Sequence, residues 1–95
     1  DGKSRYVILQ ELPTEMGEKY TRVLHDALLT IDQGQNILVI RTVPGMAMGV
    51  AAALDALNWE EILGSIAGDD TVMCVARTLE EASSVAERLK SILQK

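Results

Sequence analysis

Aromatic residues are almost missing: the 95-residue chain has two tyrosines, one tryptophan and no phenylalanine. Any core must therefore be built from Ala, Val, Ile and Leu, and ten alanines are available for it. A single cysteine, Cys74, excludes an internal disulfide, and its apolar neighbours suit a reducing, cytoplasmic compartment. Basic residues are few, 9 Lys and Arg against 14 Asp and Glu, for a formal charge of −5. That balance argues against this chain gripping a nucleic-acid backbone or an anionic membrane, both of which need a basic face. No apolar run reaches the ~20 residues that span a bilayer, and the longest candidate, residues 43–57, is interrupted by Asp55. The Gly45-x-x-x-Gly49 spacing within it is thus no sign of a membrane helix. A metal-ligand cluster, a Ser/His/Asp arrangement and a phosphate loop are also lacking, so no catalytic or metal residues are expected. His25 reads as a surface or structural residue, and Cys74, among Val72, Met73 and Val75, as core. What is present is ample apolar material, 47% of residues, enough for one small folded domain.

The first twenty residues differ from the rest. Asp1-Gly2-Lys3-Ser4-Arg5 leads into the short apolar run Tyr6-Val7-Ile8-Leu9, and residues 10–19 carry Pro13, Gly17 and three glutamates. This reads as an extended segment and a linker, with the folded unit starting near Tyr20. The chain begins at Asp1 without a secretory leader and reads as a piece of a longer protein. Residues 23–31 are mostly apolar and precede the turn residues Asp32-Gln33-Gly34-Gln35. With the β-branched run 36–43 they suggest a hairpin. Pro44-Gly45 stops that strand, and residues 46–57 are rich in helix formers. A second hairpin is expected from 62–67 and 71–76 around Gly68-Asp69-Asp70. Thr78 and Glu81 stand at capping-box spacing before an amphipathic helix with Leu79, Ala82, Val85, Ala86, Leu89, Ile92 and Leu93 on one side. The resulting expectation is an α+β fold, a two-layer β-β-α-β-β-α domain with two helices on one face of a four-stranded sheet.

The helix over 46–57 is apolar on two faces. At about 100° per residue, Met46, Val50, Ala53, Leu54 and Leu57 form a stripe for the sheet, while Met48, Ala51, Ala52 and Asp55 lie opposite. A two-layer domain covers only one of these faces, so Met48, Ala51 and Ala52 are expected to meet another copy of the chain. Asp55, the lone charge on this helix, needs an arginine such as Arg41 or Arg77, simple exposure, or a cationic ligand. Asp69-Asp70 is equally open to two readings. Aspartates cap tight turns; adjacent carboxylates also match a guanidinium or attract Mg²⁺. Amides at the Pro44-Gly45 helix start would suit a carboxylate. Together these elements fit a zwitterionic amino acid with a basic side chain.

Thr42-Val-Pro-Gly-Met-Ala47, Leu54-Asp-Ala-Leu57 and above all Ile62-Leu-Gly-Ser-Ile-Ala-Gly-Asp-Asp-Thr-Val72 closely resemble the C-terminal domain of bacterial arginine repressors. The resemblance covers residues 20–95. Gly2-Lys-Ser-Arg-Tyr6 resembles the last wing strand of that family's DNA-binding domain, so residues 1–19 would be the end of that domain plus a linker. The resemblance implies that residues 20–95 bind L-arginine as a co-repressor and oligomerise, as trimers that stack into a hexamer. It implies no other cofactor, and contact with operator DNA only through the absent N-terminal domain. Carried over by position, Asp69 and Asp70 would take the arginine guanidinium from the opposite trimer. Asp55 would hold the ammonium, with backbone groups of Gly45 to Ala47 near the carboxylate. The family usually places Gln seven residues before the helix Asp; here that position is Met48, only a weak acceptor through sulfur. Two alternatives remain at this level: an oligomerisation module independent of arginine, and a Mg²⁺-dependent enzyme using Asp55, Asp69 and Asp70.

Overall fold

Tyr20, Val23, Leu24 and Ala27 recur at spacings of three and four, and in the computed structural model they form the inward side of a helix. The structure describes residues 13–94, with side chains from residue 17 on; the strand expected over 6–9 lies outside them. This first helix, α1, spans Pro13–Ala27. Proline suits the first turn, where its missing N–H has no intrahelical acceptor to lose. Leu24 and Ala27 are buried, while Glu18, Lys19, Arg22, His25 and Asp26 face solvent. The strand expected over 23–31 is therefore corrected: residues up to Ala27 finish α1, and β1 is Leu28–Gly34. The expected two helices become three, in the order α-β-β-α-β-β-α.

The remaining elements lie close to expectation: β2 at Ile37–Thr42, α2 at Ala47–Leu57, β3 at Ile62–Ala67, β4 at Thr71–Ala76 and α3 at Leu79–Gln94. The four strands form one antiparallel sheet in the order β1-β2-β4-β3. The α+β class and the four-stranded sheet hold. Alternation along β2 and β4 turns Leu38, Ile40, Val72, Cys74 and Ala76 inward, all fully buried. Leu38, Ile40, Val72 and Cys74 meet Leu24 and Ala27 of α1, Val50, Ala53 and Leu54 of α2, and Val85 and Leu89 of α3 in one core. Burying an aliphatic side chain of this kind contributes ~1.5–3 kcal/mol. The other face of the sheet carries none of the described helices and leaves Ile66 and Met73 76% and 48% exposed among the described residues.

The helix ends are closed locally. The Glu81 amide donates to Thr78 Oγ1 at 3.1 Å, the capping box expected from their spacing. At the end of α2, Asn58 turns left-handed (φ 55) and its amide donates to Leu54 O at 3.1 Å. Met46, expected in the sheet-facing stripe, is instead the N-cap of α2 and stands exposed, with no side-chain cap bond. The outer face of α2 emerges as expected: Met48, Ala52 and Asp55 are exposed, and Ala51 is half-buried.

Candidate functional site

The strand order places the β3–β4 turn beside the start of α2, and main-chain hydrogen bonds tie the two together. Asp69 O accepts from the Gly45 amide at 3.1 Å and from the Ala47 amide at 3.2 Å, and Asp70 O accepts from the Thr42 amide at 2.8 Å. Gly45 reaches this geometry at φ +84, a left-handed conformation open to glycine at little cost. Open space surrounds the position where its Cβ would stand, so conformation rather than crowding selects glycine. Gly68 closes the hairpin by donating to Thr71 O at 2.8 Å.

With the main chain so engaged, the carboxylates are left to point outward. Asp69 is exposed and makes no side-chain bond among the described residues; Asp70 is half-buried and accepts only from Thr71 Oγ1, at 3.0 Å. Neither side chain caps an amide of its own turn, so the turn-capping reading does not describe them. The amides of Gly45 and Ala47 go to Asp69 O, and that of Met46 goes to Val43 O at 3.0 Å. The amide nest expected at Gly45 to Ala47 is thus engaged internally. The next two amides of the first turn, at Met48 and Gly49, are those a helix start leaves without an intrahelical acceptor. No acidic side chain stands in that turn.

Asp55 lies eight residues beyond Ala47, about 12 Å along the helix, on its exposed face. It forms no ion pair among the described residues. Arg77 donates instead to Glu60 O at 2.9 Å, and Arg41 projects from the helix-free face of the sheet. Asp55 does act on Cys74 beneath it. Burial pushes the thiol up to about 11, and the Asp55 charge adds to the rise, so Cys74 is a protonated core residue. Among the described residues no group of three or more His, Cys, Asp or Glu is gathered for a metal, so the three acids of one chain make no Mg²⁺ centre.

Sequence reasoning missed Thr42 and Thr71, which support the acidic turn from beneath. Thr42 is buried, its hydroxyl donating to Val43 O at 2.8 Å. Spacing carries no signal for the Thr42 amide, which reaches Asp70 O from another strand, while both hydroxyls bond their immediate chain neighbours. Trp59, in the α2–β3 turn, lies under the guanidinium of Arg88, whose Cζ is 4.5 Å from the ring centroid.

The description "Arginine repressor, C-terminal domain" belongs to the family model that matches residues 24–91. The arginine repressor of Lachnoclostridium phytofermentans is 50% identical over 93 residues, covering 98% of this chain and 61% of the relative. Those of Lachnospira eligens and Symbiobacterium thermophilum are 47% and 44% identical, each covering 99% of this chain and 63% of the relative. The chain thus spans about three-fifths of the length of these curated relatives. On these matches, and with the acidic turn and α2 start in place, the chain belongs to the arginine repressor family and corresponds to its C-terminal domain.

Proposed function

We propose that this chain is the L-arginine-sensing and assembly domain of a cytoplasmic regulator of arginine metabolism. Arginine binds between two trimers and stabilises the hexamer, and an N-terminal domain outside this chain reads operator DNA. The observation that carries the reading is the outward pair Asp69 and Asp70, bonded through its main chain to an α2 start without acidic side chains. Two carboxylates match the planar guanidinium in a bidentate fashion. The first turn of α2, at Met48 and Gly49, offers amides and the positive end of the helix dipole to a carboxylate. Asp55, exposed and without an ion pair among the described residues, takes the ammonium. The acids of one chain do not converge, which fits a site completed by Asp69 and Asp70 of an opposing copy. Met48, Ala51 and Ala52 on the outer face of α2 then become contact surface between copies. The family is one of named repressors rather than enzymes, and no described helix is long and apolar enough to cross a membrane.

A ligand that binds only the assembled state stabilises it by mass action. Sedimentation with and without L-arginine, paired with calorimetry, is the test. A rise in mass with saturable heat is expected; unchanged mass and no heat at millimolar arginine sinks the reading. A second reading, assembly independent of arginine, is favoured by one observation. Met48 is 73% exposed at the position where the family usually has Gln, and thioether sulfur is a weak acceptor. Equal mass with and without ligand decides for it.

A further inference from the structure

Main-chain bonds hold the acidic turn on both sides. Gly68 donates to Thr71 O at 2.8 Å, Asp69 O accepts from Gly45 and Ala47, and Asp70 O accepts from Thr42. What stays free is rotation of the two carboxylates about their own side-chain torsions. Asp69 is exposed and has no side-chain bond among the described residues to stop that rotation. Asp70 differs. It is half-buried, and its Oδ1 accepts from Thr71 Oγ1 at 3.0 Å.

Thr71 is well suited to orient a neighbour. It opens β4, half-buried and paired across the sheet with Arg41 of β2. A β-branched side chain on a paired strand has few rotamers, so its hydroxyl stands in a set place. The hydroxyl proton goes to Oδ1, which leaves Oδ2 and a second lone pair of Oδ1 open on Asp70. A guanidinium is planar and takes a carboxylate through two parallel bonds, so the carboxylate must stop rotating when the ligand docks. Ordering it beforehand removes that cost from binding. We propose that Thr71 is a positioning residue for the guanidinium: its hydroxyl holds the Asp70 carboxylate in one orientation before the ligand arrives. Asp70 is then the aligned acid of the pair and Asp69 the adaptable one. The inference rests on the arginine-sensing reading for its ligand and adds a residue that acts through Asp70.

The test is a double-mutant cycle on the 95-residue chain, read by calorimetry with L-arginine and by ligand-free thermal melts. Its members are Thr71→Val, Asp70→Ala and the double variant, with Thr71→Ser as the conservative rescue. Valine keeps the branched shape and strand preference and removes only the hydroxyl. Thr71→Val is expected to lower arginine affinity about fivefold to tenfold, and Thr71→Ser to bring it back within about threefold of wild type. In the Asp70→Ala background, Thr71→Val should change affinity by less than about twofold, because its acceptor is gone. A role confined to strand structure lowers affinity equally in both backgrounds, and that result overturns the proposal. So does a Thr71→Val variant that folds and binds arginine as tightly as wild type. The melts read the hydroxyl bond without any ligand: Thr71→Val should lower the midpoint more in the wild-type background than beside Asp70→Ala. A wild-type chain that gives no heat with arginine overturns the sensing reading. In that case unequal melt shifts still support the orienting bond, and equal shifts overturn it as well.

Discussion

At the C-terminal end of α2, Arg88 stacks over Trp59 at 4.5 Å and pairs with Glu61 at 2.8 Å, while Arg77 donates to Glu60 O at 2.9 Å. At the N-terminal end, Asp69 has no side-chain partner among the described residues and Asp70 has only a hydroxyl. Both ends join α2 to neighbouring elements, but by different means. The α2–β3 turn is held by main-chain bonds and by charged side chains that find partners within the chain, Arg88 on Glu61 and Arg77 on Glu60 O. The acidic turn is held by its carbonyls, which frees its charged groups. Charges that close on themselves secure the fold; those of Asp69 and Asp70, left open, are the ones the proposed arginine site would use.

Asp70→Asn tests the open end most sharply. The amide keeps an acceptor for Thr71 and removes the charge, so the fold should persist while arginine affinity falls by about tenfold to a hundredfold in calorimetry. Affinity equal to wild type would remove Asp70 from the site. Gly45→Ala attacks the main-chain tie. An L-residue at φ +84 is strained, and the expected loss is about 1–2 kcal/mol of unfolding free energy from denaturant midpoints. Arg88→Ala opens the other end, where the cation–π contact and ion pair are partly exposed, and should cost about 1 kcal/mol. Its arginine affinity should stay within about twofold of wild type, since the two ends act independently at this distance. A larger drop would mean that the clamp also positions Asp55.

The smallest effect concerns pH. The Glu61 carboxyl lies below the usual glutamate range, chiefly through a hydrogen bond from its own backbone amide and also through Arg88, against a desolvation that opposes them. A depressed folded pKa gives stability that is full above the unfolded value and lost as pH falls through the folded one. The stability gap between wild type and Glu61→Gln should therefore be present at neutral pH and close in acid, as followed by thermal melts. A gap unchanged across that range would place the effect of Glu61 outside its charge.

Much of this was legible because the signals were local. Thr78 and Glu81 announced their capping box, Gly68-Asp69-Asp70 announced a hairpin, and the two apolar faces of α2 were visible in its periodicity. Helix α1 was missed because Pro13 and Gly17 read as breakers and residues 23–31 read as one apolar run. Tyr20, Val23, Leu24 and Ala27 already had helical spacing, and proline at a first turn is a start signal. The acids of the candidate site were legible as residue types, while their partners were not. Arg41 lay within reach of Asp55 on paper, yet the pleat sends it to the far side of the sheet. Met46 matched the inward stripe by angle, yet as the N-cap it has already left the helical path.

Local periodicity and turn chemistry were enough to establish an α+β chain with a doubly apolar helix and three acids suited to a cation. They act over a few residues and needed no knowledge of which strands pair. Tertiary structure alone decided that β4 lies between β2 and β3. That order brings the Asp69 carbonyl to the amides of Gly45 and Ala47. It also lines up Asp32, Val39, Met73 and Ile66 across the bare face of the sheet. These groups lie far apart along the chain, and only the burial of one common core sets how their strands are ordered and registered.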